Sequence, residues 1–177
     1  MDEIRLVKPT MAYAEQILAV RQEILDTDTG EDAFAGCSSL QNHGTAESWL
    51  DHLHRFENPE TVPAGYVPSS TYLAVRVSDD RLVGIIDLRH HIDHPILGVW
   101  GGHIGYSVRP SERGHSYAKE MLRLNLENCR ARGMEKVLVT CIRGNIASEK
   151  TILANGGVFE NEVTVDGEII LRYWITL

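Results

Sequence analysis

"HIGYSVRPSERGHSYAKEMLRL", residues 103–124, decides how this chain folds. Its first six residues alternate as a strand does, with His103, Gly105 and Ser107 on one face and Ile104, Tyr106 and Val108 on the other. A short turn follows, and then a helix. The turn places Arg113 and Gly114 just where that helix begins. A helix N-terminus offers unpaired backbone N–H groups and the positive end of the macrodipole, and both favour an anion, most often phosphate. Gly114 lets the backbone approach such a ligand closely, and Arg113 adds a charge-assisted contact. An ordinary strand-to-helix turn, with glycine serving only an unusual φ, fits the same residues.

Downstream, the helix runs to about Arg132 and Gly133 ends it as a C-cap. "KVLVTCI" (136–142) is nearly all apolar, as a strand buried on both faces is. Asn145 caps "IASEKTILA" (146–154), and "VFENEVTV", the turn Asp166-Gly167 and "EIILRYWITL" form a hairpin. Upstream, "TYLAVRV" and "LVGIIDLRHH" flank "SDDR" as another hairpin, and "IDHPILGVWGG" is a loop. The chain opens with the strand "EIRLVK" and a helix, "MAYAEQILAVRQEIL", with Thr10 as its expected cap. Thr45 opens a second helix, "AESWLDHLHRFE". Two long loops, Asp26–Gly44 and the proline-stiffened Asn58–Ser70, frame that helix; loops of such length are functional or mobile. This order predicts a mixed α/β (α+β) fold, helices packed on a largely antiparallel sheet, in one domain over residues 1–177.

Lys and Arg number 17 against 25 Asp and Glu, a net charge of −8, which argues against nucleic-acid binding and against docking on an anionic membrane. "MDEIRLVKPT" carries charges where a signal peptide needs an apolar core, and no later apolar run approaches about 18 residues, so a cytoplasmic location is expected. Cys37, Cys129 and Cys141 lack C-x-x-C spacing and read as reduced, buried thiols. "HHIDH" (90–94) carries metal-ligating side chains, but His90 and His91 on a strand point to opposite faces, and no metal is expected. Neither G-x-x-x-x-G-K-[ST] nor G-x-G-x-x-G occurs, which counts against an unrelated nucleotide-phosphate binder.

Together with "NIASEKTILANGG", the opening segment resembles the GNAT superfamily of N-acetyltransferases. The resemblance rests on the family signature Q/R-x-x-G-x-G/A, which falls on Arg113-Gly114-His115-Ser116-Tyr117-Ala118. Arg113 and Ala118 match, and Ser116 stands where the central glycine is usual. "YLAVRVSDDRLVGIIDLR" is similar to the family's central hairpin, and "EKVLVTCIRGNIASEKTILANGG" to its fifth strand and following helix. "VPSSTY", "GGHIGYSVRPSERG", "NGG" and "LRYWI" further resemble a bacterial subgroup of predicted acetyltransferases. The resemblance implies a twisted sheet with a splay between the fourth and fifth strands that receives the pantetheine arm of acetyl-CoA. It implies coenzyme A binding by the loop Arg113–Ala118, by Asn145 with Ser148 behind it, and a backbone N–H of Ser107–Val108 as partner of the thioester carbonyl.

It also implies direct attack by an amine in a ternary complex, so a proton must leave the amine and the departing thiolate must be protonated. The family's usual tyrosine, seven positions past the matching asparagine, falls here on Ile152. Tyr106, Tyr117, water or the ammonium product are the substitutes. For the base, His103 opens the fourth strand with an imidazole suited to proton removal, and Asp87 and His90 are further candidates; a histidine merely hydrogen-bonded at a strand end would look the same. His115 contacts phosphate or sits exposed at the helix start. Asp28, Glu31, Asp32 and Glu60 are expected to lend the acceptor mouth a negative field for a cationic amine, from a small molecule or a peptide N-terminus. The absent tyrosine leaves a second class open, a non-catalytic CoA-binding or regulatory module. "EIILRYWITL", apolar on both faces, fits a core strand or a homodimer contact equally.

Overall fold

The computed structural model describes residues 2–177 and arranges its strands in two antiparallel sheets. Strand β1 (Ile4–Val7) pairs with β2 (Ser69–Arg76), β2 with β3 (Arg81–Arg89), and β3 with the short β4 (Tyr106–Val108). The second sheet is β5 (Lys136–Ile142), β7 (Glu168–Thr176) and β6 (Val158–Val165), in that spatial order. Asp166 and Gly167 join β6 to β7 with φ of 50° and 85°, the left-handed pair that an Asp-Gly hairpin turn requires.

Strands β2 and β3 are apolar on both faces because helices cover both. Leu73, Val75, Leu82 and Ile85 pack with Ile17, Val20 and Ile24 of α1 (Ala14–Thr27) and with Trp49, Leu50 and Leu53 of α2 (Ala46–Glu57). Ala74, Val83, Ile86 and Leu88 pack on the other side with Met121, Leu122 and Leu126 of α3 (Tyr117–Ala131). Val137, Val139, Tyr173 and Ile175 of the second sheet, and Ile152 of α4 (Ile146–Ala154), join that same cluster. One cluster thus runs beneath both sheets and keeps them side by side.

The predicted elements are recovered with informative differences. Thr45 caps α2, its Oγ1 accepting Ser48 N–H at 3.2 Å, but Thr10 makes no such bond and the first turn, Met11–Tyr13, is a 3-10 turn. The loop expected at 92–102 contains a π-helical turn, Leu97–Gly101. The strand expected from His103 pairs only from Tyr106, and side chains explain why. Asp87 N–H donates to Gly105 C=O at 3.0 Å, but the reciprocal bond is missing. Gly105 N–H donates instead to the Asp87 carboxylate at 2.8 Å, while Asn125 Nδ2 of α3 occupies the Asp87 carbonyl at 3.0 Å.

His103 keeps one bond to β3, its C=O accepting Arg89 N–H at 2.7 Å, and also bonds across to β5. Its N–H donates to Leu138 C=O at 2.8 Å, and its Nδ1 accepts Leu138 N–H at 2.9 Å. The two sheets meet at this pair and part beyond it, since β4 and β5 share no ladder. The splay expected between the fourth and fifth strands is this divergence.

The long segment after α1 folds into successive turns and a 3-10 turn at Leu40–Asn42, and lies against the face of β4. Gly36 (φ +70°) meets Gly105 backbone to backbone: a Cβ on Gly36 would fall 2.0 Å from the Gly105 oxygen. Among the described residues no helix is long and apolar enough to cross a membrane. Gly36→Ala should cost about 2 kcal/mol or more in urea denaturation, since strain and collision add. Gly133→Ala, with φ +75° but open space around it, should cost only about 1 kcal/mol.

Candidate active site

Between β4 and β5 opens a cleft of about 1330 Å³. Its walls follow from strand pairing. Asp87 and Arg109 both bond across the β3–β4 pair through Gly105 and Val83, so the odd residues of β4 direct their backbone groups at β3. The N–H groups of Tyr106 and Val108 therefore point into the cleft, and neither has an acceptor among the described residues. Leu138 faces His103 from β5, which puts Thr140 and Ile142, in phase with it, on the opposite wall. The cleft is thus a missing strand's place, with backbone polar groups on both sides.

At its mouth stands the start of α3. No backbone N–H from Gly114 to Lys119 has an acceptor among the described residues. Ser116 precedes the helix at φ +64°, the left-handed conformation that explains why glycine is usual there. Gly114 has φ +84°, and a Cβ on it would meet nothing within 4 Å, leaving the approach to these donors open. Lys119 and Lys150 also line the cleft.

Charged side chains hold the loop before this turn. Arg109 Nη2 pairs with Glu23 of α1 at 2.6 Å, and Ser111 Oγ donates to the same carboxylate at 2.8 Å. These contacts hold Glu23 down at about 2, the Arg109 hydrogen bond being the main cause. Glu112 is nearly buried between two guanidinium groups, 2.8 Å from Arg76 and bonded to Arg81 Nε. Arg113 forms a two-bonded pair with Asp28, at 2.8 and 2.5 Å, which lowers the Asp28 pKa.

Of the residues singled out from sequence, the cleft gathers Tyr106, Ser107, Val108, Arg113, Gly114, Ser116, Tyr117, Ala118, Asn145 and Ser148. The ring of His115 turns back to the Glu112 carbonyl, 3.2 Å away, and does not line the cleft. His103 does not line it either; burial pushes its pKa down to about 4, and its Nδ1 is engaged by Leu138. His90 sits beneath Ser70, its Nε2 2.8 Å from the Ser70 hydroxyl, with a pKa lowered to about 4 chiefly by burial. Asn145 caps α4 as expected, accepting Ser148 N–H at 3.2 Å. Ser107 bonds away from the cleft through its hydroxyl, donating to the Ala35 carbonyl at 2.7 Å.

Tyr106 reaches across the cleft from β4 to α4, its hydroxyl 2.9 Å from Ser148 Oγ, and burial raises its pKa. Asp87 lines the cleft from β3; burial raises its pKa, opposed by Arg89, whose Nε lies 3.0 Å away. Asp28, Glu31 and Asp32 line the cleft and Glu60 does not; Asp166 and Glu168 at the β6–β7 turn add to the acidic side. Sequence reading did not select Arg89, Trp100, Thr140 or the hairpin acids, because only strand pairing brings them to this gap. Among the described residues no group of His, Cys, Asp and Glu could hold a metal ion.

A family model described as the acetyltransferase (GNAT) domain matches residues 4–158. No curated protein matches the chain by sequence. Among solved structures, the microcin C7 self-immunity acetyltransferase MccE, in complex with acetyl-CoA and AMP, is similar at a TM-score of 0.68 and 18% identity, over 100% of this chain and 94% of that one. RimJ of Mycobacterium smegmatis, in complex with CoA-disulfide, is similar at 0.67 and 19%, over 98% and 81%. RimL, a ribosomal alpha-N-protein acetyltransferase in complex with coenzyme A, is similar at 0.66 and 18%, over 98% and 94%. At such identities the likeness is one of fold.

The Glu23 anchor has a pH signature. Its folded pKa lies below the ordinary 4.5, so its contribution is complete above that value and is lost as pH falls towards 2. Glu23→Gln should be less stable than wild type at neutral pH. The gap between their urea midpoints should close between about pH 5 and 2, unlike that of an exposed control such as Glu47→Gln.

Proposed function

The chain belongs to the GNAT acetyltransferase domain family, and from that premise we propose that it moves the acetyl group of acetyl-CoA to a primary amine of a small molecule or a peptide N-terminus by direct attack in a ternary complex. One observation carries this reading: the run of unpaired backbone N–H groups from Gly114 to Lys119 stands at the mouth of a cleft with further free donors along β4. That combination suits a ligand with a pyrophosphate at one end and an amide-bearing arm at the other. The residues present fit the group.

When bound, acetyl-CoA supplies the thioester carbonyl that the acceptor amine attacks. The α3 N-terminus would hold the pyrophosphate, with Lys119 and Lys150 adding positive charge. The N–H groups of Tyr106 and Val108 would serve as fixed donors to the arm and to the thioester oxygen, already in place before charge develops. Tyr106, kept protonated by burial, would supply a proton on the cleft side to a departing thiolate. Asp87, whose burial raises its basicity, takes the amine proton directly or through water. His103 keeps the junction of the sheets. The acids along the cleft favour a cationic acceptor.

Ile152, fully buried where the family's usual tyrosine would stand, favours the second reading, a module that binds CoA without turnover. Release of CoA thiol with a panel of amines separates the two. In titration calorimetry the wild type should bind acetyl-CoA in the micromolar range, and folded Gly114→Asp should lose binding by charge repulsion; no wild-type binding well above cellular CoA concentrations overturns the proposal. Tyr106→Phe should lower kcat about 100-fold with little change in CoA affinity. Asp87→Asn, which keeps an acceptor for Gly105 N–H, should remove the rise of activity with pH on the acid limb. Ser116→Gly should bind CoA as wild type does and be more stable by about 1 kcal/mol.

A further inference from the structure

The segment between α1 and the 3-10 turn at Leu40–Asn42 touches both walls of the cleft. Asp28 clasps the Arg113 guanidinium with both carboxylate oxygens. Four residues on, Asp32 accepts a hydrogen bond from Asn145 Nδ2 at 3.3 Å on the far wall. Between the walls, the Ala35 carbonyl takes the Ser107 hydroxyl and Gly36 lies on Gly105. One short stretch therefore engages Arg113, Asn145 and Ser107, all of which line the cleft.

The chemistry of these contacts is that of substitution. A carboxylate on a guanidinium fork occupies the directions a phosphate would use. Asp32 engages the amide of Asn145 at the start of α4, on the side of the gap opposite β4. Arg113 is 43% exposed and Asp28 20%, so neither is locked in the core and the pair is exchangeable. The backbone beneath is held independently by Glu23 and by Arg76 and Arg81, so releasing Asp28 does not unfasten the loop.

We infer that residues 28–36 form an acidic strap whose Asp28 and Asp32 occupy positions that cofactor groups would take, and that coenzyme A must displace both carboxylates to bind. This inference rests on the cleft being a CoA site. Displacement frees the strap from both walls of the cleft.

Calorimetry with CoA, together with hydrogen exchange of the wild type, tests this. Asp28→Asn and Asp32→Asn should each bind CoA more tightly, Asp28→Asn by about 5-fold, the worth of a half-exposed pair near 1 kcal/mol. Exchange in the amides of residues 30–37 should accelerate when CoA is added to the wild type. Weaker binding by Asp28→Asn would show instead that Asp28 holds Arg113 ready for phosphate, and that result overturns the strap while leaving the CoA site standing. Unchanged affinity in both variants overturns it as well. If the wild type binds no CoA, the cofactor reading fails first and the strap falls with it.

Discussion

Two reciprocal hydrogen bonds between His103 and Leu138 are the constraint on which the remaining architecture depends. They join two antiparallel sheets at one end and leave them unpaired at the other. A continuous ladder would use up every backbone group between β4 and β5. A complete separation would leave two sheet edges open to solvent. The single junction gives a cleft whose walls still carry unspent donors and acceptors, held at fixed separation by the hydrophobic cluster beneath both sheets.

The divergence has a local cause. Asn125 removes the Asp87 carbonyl from the ladder and the Asp87 carboxylate takes up the Gly105 N–H that would have met it. Every group stays satisfied, so the ladder ends at little energetic cost. Asp87 serves fold and site together, because the carboxylate that ends the pairing also lines the cleft.

The start of α3 is organised differently, by charge. Glu23 with Arg109, and Glu112 with Arg76 and Arg81, fasten the turn to elements far away in sequence, so the helix start can present bare N–H groups. Ser116 tolerates a left-handed φ within this frame. The same electrostatics reach the segment after α1, whose carboxylates meet the cations and amides of the site. A net charge of −8 leaves abundant carboxylates to compete for those groups.

Much of this was legible in the sequence. A turn between two apolar runs marked β2 and β3, the Asp-Gly turn marked the final hairpin, Asn145 and Thr45 announced their helices, and the Arg113–Ala118 stretch marked the turn that opens α3. These are short-range matters, decided by propensity, periodicity and turn chemistry within a few residues. The strand read from His103 to Val108 lost its first half because Asn125 and Asp87 compete for backbone partners across 38 positions of chain. That His103 faces β5 rather than the cleft, that Tyr106 reaches Ser148, and that Asp28 meets Arg113 were settled only by the packed structure. Hydrogen bonds and ion pairs between distant residues carry no periodic trace. The sequence by itself determined the elements and the turn that opens α3, and tertiary packing alone decided which side chains share the cleft, because partner choice there depends on which groups folding brings together and leaves unsatisfied.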